Sequence, residues 1–133
     1  MTLLVVGTIF AALAALIHVC IWALESLLWG RPSVRRTFGV TSEAEAETLR
    51  SMAYNQGFYN LFLALGTFAG LVLAWSEPRI AGLVLTMFTC LCMALAALVL
   101  VTANGRMARA ALVQGAAPLI AVVLLGIELA DLV

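Results

Sequence analysis

Charge is what this sequence has least of. Only 11% of its 133 residues are Asp, Glu, Lys or Arg, there is no lysine, and there is a single histidine, His18. Soluble domains carry about 25% charged residues, so the sparsity excludes an ordinary water-facing surface. The formal net charge is zero. No basic stripe is available to track phosphates, which argues against nucleic acid as a partner. Cysteine is scarce and odd in number: Cys20, Cys90 and Cys92 all lie in apolar sequence. That excludes a disulfide framework and reads as small core residues. A Cys-x-Cys pair on a helix points its thiols about 200° apart, a poor metal clamp, so no metal and no cofactor is expected.

Apolar residues fill the space that charge leaves. They make up 65% of the chain, and the mean hydropathy is +1.13. Four apolar runs stand out, at residues 3–29, 52–75, 80–102 and 110–132. Each is near or above the ~20 residues needed to cross a ~30 Å hydrocarbon core. The expected fold is all-α, a transmembrane four-helix bundle forming one domain over residues 1–133. The first run has no basic segment before it, an overlong apolar core and no small-residue cleavage site after it. It therefore reads as a retained helix rather than a cleaved signal.

Arginine placement gives an orientation. Arg31, Arg35, Arg36 and Arg50 lie between the first and second runs, Arg106 and Arg109 between the third and fourth, and Arg79 alone in the remaining connection. Positive residues mark the cytoplasmic side. Residues 30–50 then form a cytoplasmic loop and both termini are extracytoplasmic. Within that loop Gly30-Arg31-Pro32 ends the first helix. Ser42 to Glu45 has capping-box form, so a helix is expected to start there and run unbroken into the second span, roughly 50 Å long. Glu128 and Asp131 read as solvated ends of the last span.

The polar residues inside the spans are the functional lead. On a helix His18, Trp22, Glu25 and Trp29 fall within a sector of roughly 60°. An ionisable group at mid-bilayer costs at least about 2.5–3.5 kcal/mol, and such groups turn inward and mark function. The second span opens with Tyr54 to Asn60, in which Asn55 and Tyr59 share one face and Gln56 and Asn60 another. Gly66 and Gly70 follow as a Gly-x-x-x-Gly step, and in lipid such small residues and amides also serve as interhelical glue. Gln114 sits four residues before Pro118, whose missing N–H frees the carbonyl of residue 114. With the orientation above, Glu25 lies near the inner face, His18 roughly 10 Å deeper, and the amides of the second and fourth spans at comparable depth. We expect His18, Trp22, Glu25, Asn55, Gln56, Tyr59, Asn60 and Gln114 to line a shared cavity open to the cytoplasm.

Such a cavity suits a small amphipathic or lipid-like molecule. Glu25 with His18 as its partner would supply acid–base chemistry, as in double-bond isomerisation. Trp22 would stabilise positive charge, and Asn55 and Asn60 would orient the reacting groups. Whether the chain is an enzyme is left open by these residues. Two other functions fit them: a proton-coupled small transporter working as a homodimer, and a non-catalytic subunit of a membrane complex. Expected partners are membrane lipid, a small hydrophobic ligand and a second copy of the chain.

One resemblance covers nearly the whole sequence. The strings His18-x(6)-Glu25-x(3)-Trp29, Phe38-Gly39-Val40, Ala53-x-Asn55-Gln56-Gly57-x-Tyr59-Asn60 and Gln114-Gly115-x-x-Pro118 resemble a family of small bacterial four-span proteins catalogued only as a domain of unknown function (thirteen-oh-four). The resemblance implies four spans and a bacterial inner-membrane location. It brings no activity, substrate or catalytic residue.

Overall fold

The computed structural model describes residues 2–132, and among them there are helices and turns but no strand. The elements are α1 (Thr2–Trp22), a π-helical segment (Ala23–Leu27), α2 (Pro32–Thr37), α3 (Glu43–Ala74), α4 (Arg79–Ala103), a 3₁₀ turn (Gly105–Met107) and α5 (Ala108–Ala130). Four helical stretches are long and apolar enough to cross a membrane: Thr2–Leu27, Glu43–Ala74, Arg79–Ala103 and Gly105–Ala130. The chain is a multi-pass membrane protein built as a four-helix bundle.

Helix ends follow local chemistry. Ser42 caps α3, its hydroxyl accepting from the Glu45 N–H at 3.2 Å. The helix beginning there continues unbroken into the second span, as the capping pattern predicts, over 32 residues. Arg35 and Glu43 tie α2 to the start of α3 at 2.8 Å. This guanidinium holds the Glu43 carboxyl below its usual range, and the carboxylate in turn raises Arg35. Gly39, at φ 79°, makes the turn between them, a conformation that costs a residue with a Cβ.

Around the bundle the order is α1, α3, α4, α5, with α5 closing against α1; α1 and α4 face each other across a diagonal. The core is stacked in layers of small residues. Leu4, Ala74, Leu83 and Leu125 meet at the end holding both termini, and Ala11, Cys90 and Ala121 lie next. Ala14, Met93 and Ala117 follow. Small side chains let backbones approach in lipid, where packing rather than the hydrophobic effect drives association. The closest approaches involve glycine. A Cβ on Gly82 would run into the backbone of Leu73 and Ala74, and one on Gly70 would lie 2.8 Å from the Thr86 nitrogen. Between these layers Thr67 and Thr89 share a buried hydroxyl–hydroxyl bond of 2.8 Å.

Two expectations are corrected here. Glu128 is not a solvated end: it is 7% exposed and ion-paired with Arg79, joining the last span to the start of α4. Asp131 is exposed. Trp29 is not a helical neighbour of Glu25, because the π segment ends at Leu27. Trp29 instead sits in the following turn, its indole N–H donating to the Ala46 carbonyl at 3.0 Å and its ring lying against Phe38.

Candidate functional site

The first span does not stay α-helical to its end. From Ala23 to Leu27 it widens into a π turn, closed by the Leu28 N–H bonding to the Ala23 carbonyl at 2.9 Å. Such turns are rare and frequent at functional sites. Glu25 lies in the middle of it.

What seats the widened turn is Gly57 of α3. A Cβ there would overlap the Ser26 hydroxyl and come within 3.2 Å of both Glu25 Cβ and the Trp22 carbonyl. The contact is fastened by Ser26, whose hydroxyl donates to the Tyr54 carbonyl at 3.0 Å. This seating fixes the rotation of α3 and aims the residues flanking Gly57. Asn60 then donates through Nδ2 to Glu25 Oε2 at 3.0 Å, and also to the Gln56 carbonyl at 3.2 Å.

Glu25, Gln56, Asn60 and Gln114 line one cleft of about 810 Å³, with contributions from all four spans. Its remaining walls are mostly apolar, including Ile17, Ile21 and Leu24 from the first span, Val99 and Leu100 from α4, and Val113 from α5. Thr37, Phe38, Arg106, Met107 and Arg109 complete it at the end where α2 and the 3₁₀ turn lie. A mostly apolar pocket of this size with a few convergent polar groups is the usual form of a small-molecule site.

The other sequence-derived candidates stand elsewhere. His18 is 1% exposed and does not line the cleft; its Nδ1 is hydrogen-bonded to the Ala14 carbonyl of its own helix at 2.9 Å. Trp22 packs edge-on against Phe58, with ring centroids 6.1 Å apart, and its buried indole N–H has no partner among the described residues. Asn55 and Tyr59 are exposed on another face of α3. Of the two i,i+4 pairs on that helix, the Gln56–Asn60 pair faces the cleft.

Sequence reasoning missed Ser26 and the role of Gly57, although the glycine stands inside the Asn-Gln-Gly string. It also treated Arg106 and Arg109 only as orientation signals. Among the described residues no cluster of His, Cys, Asp and Glu is placed to hold a metal ion.

A family model described as "Protein of unknown function (DUF1304)" matches residues 12–126. No curated protein and no solved structure matches the chain.

Proposed function

The chain belongs to this family, whose description names no activity, and we propose from its geometry that the cleft binds one small amphipathic, lipid-like molecule. The observation that carries this reading is the Glu25–Asn60 pair. A carboxylate inside a span, held by an amide from another helix, opens onto a mostly apolar hollow. Retaining an ionisable group there is costly, and a ligand-facing position accounts for it. Gln56 and Gln114 supply further hydrogen bonds, while Ile17, Ile21, Val99 and Val113 take the apolar part.

In this reading Glu25 is the group that exchanges a proton or hydrogen bond with the ligand. His18 takes no direct part, since it stands outside the cleft with its ring tied to Ala14 of its own helix. The arginine-rich end, where the cleft lies, is the cytoplasmic end by the charge rule, which leaves both termini outside. In a bacterial cell the membrane would be the inner one.

The test is the content of the purified protein. Wild-type protein transferred to nanodiscs of defined lipid should retain about one molecule of a particular amphiphile per protomer, read by mass spectrometry. Leu100→Trp, which fills the cleft from the α4 wall, should lose it, and Glu25→Gln should retain less. Equal content in wild type and Leu100→Trp would overturn the reading.

A further inference from the structure

Among the described residues, three of the seven arginines have a carboxylate partner: Arg35 with Glu43, Arg50 with Glu47 and Arg79 with Glu128. Of the other four, Arg106 and Arg109 line the cleft, and no carboxylate among the described residues pairs with either. Among the described residues the one carboxylate lining the cleft is Glu25, so its wall carries two positive charges against at most one negative. The wall also has a direction. Along the first span the lining runs from Glu25 through Leu24 and Ile21 to Ile17, and along α4 from Ala103 through Leu100 and Val99 to Ala96. Both series run from the arginine-bearing end toward the middle of the bundle and become wholly apolar.

We propose that the molecule held in the cleft is an anionic amphiphile. Its phosphate or carboxylate headgroup is bound by Arg106 and Arg109, a hydroxyl or amide next to that headgroup donates to Glu25, and its apolar chain points toward Ile17 and Ala96. This rests on the binding reading above and adds the sign of the headgroup and the direction of the chain. Guanidinium is suited to such a headgroup because its planar fork meets phosphate or carboxylate with two parallel bonds. The position of Arg109 agrees with this. It lies in the first turn of α5, where the helix dipole disfavours a cation and where no acidic residue stands. An anion shared by the two guanidiniums offsets that repulsion.

The experiment uses the full chain in nanodiscs of zwitterionic lipid and three probes of equal chain length: an alkyl phosphate, an alkyl phosphocholine and an alkyl glucoside. We expect the phosphate to bind at least about tenfold tighter than the glucoside. Arg106→Gln/Arg109→Gln should abolish that preference while leaving glucoside binding within about twofold, and Arg106→Lys/Arg109→Lys should keep part of it. Leu100→Trp should abolish binding of all three. Phosphate binding no tighter than glucoside, or a preference that survives the double glutamine variant, overturns the anionic assignment; the cleft reading still stands if Leu100→Trp abolishes glucoside binding. Binding of every probe that is indifferent to Leu100→Trp overturns the cleft reading itself and marks lipid-like adhesion to the outside of the bundle. Inorganic phosphate binding as tightly as the alkyl phosphate overturns the amphiphile and leaves a free-anion site.

Discussion

Glu25 and Asn60, thirty-five positions apart, meet at 3.0 Å because a widened turn in one span rests on a glycine in the next. The bond is part of the cleft wall, so the same contact that holds the first span to α3 also orients the carboxylate.

A double-mutant cycle on this pair measures its strength. Asn60→Ala and Glu25→Ala should each lower resistance to unfolding in denaturing detergent, with a coupling energy of about 0.5–2 kcal/mol, in the range of hydrogen bonds between membrane helices. Additive single-mutant effects would mean that the two side chains do not support each other.

Gly57 should tolerate no side chain while Ser26 is present. Gly57→Ala places a methyl group on the Ser26 hydroxyl and should cost about 1–3 kcal/mol, in line with overpacking. Adding Ser26→Ala removes the severest overlap and should recover part of that loss, the remaining neighbours at 3.2 Å still having to give by a few tenths of an ångström. Thermal unfolding in detergent checks this, and a double variant no better than Gly57→Ala would contradict the seating described.

The tie between Arg35 and Glu43 should be acid-labile in a defined direction. A carboxyl whose folded value is depressed by a guanidinium contributes above its unfolded value, about 4.3, and the contribution is lost as pH falls through the folded value. Trp29 reports on this region, since it contacts Phe38 after α2 and Ala46 at the start of α3. In a Trp22→Phe/Trp75→Phe background its fluorescence should be flat above about pH 5 and change only below about pH 4. Glu43→Gln should show no such step; a step near neutral pH would assign the change to another group.

At the opposite end, Glu128→Ala should destabilise the bundle by about 1–3 kcal/mol, less than a fully buried pair because Arg79 keeps a third of its surface in contact with solvent. Asp131→Ala, on an exposed residue, should be neutral within about 0.5 kcal/mol. Equal effects would show that the two carboxylates are equivalent ends after all.

The architecture was largely legible in the sequence, because run length against bilayer thickness is a strong signal. The Ser42 cap was legible too, since Glu45 stands at the required spacing. Side-chain direction was less so. Both Asn55–Tyr59 and Gln56–Asn60 satisfy helical spacing, and only the seating of Gly57 on Ser26 decides which pair faces inward. Glu128 looked terminal because its partner, Arg79, lies 49 positions earlier. His18 and Glu25 fell on one stripe only under a uniform 100° step, which the π turn does not keep.

That turn makes chain length, rather than residue identity, the variable that aims the carboxylate. Removing Ala23 or Leu24, ahead of the carboxylate, would allow the segment to relax into ordinary helix. Residues beyond the turn would keep their place on the axis, because a π turn holds one residue more than the α-helical turn it replaces; only the side chains within it would rotate. The acid would still be present, and it would point at a different neighbour.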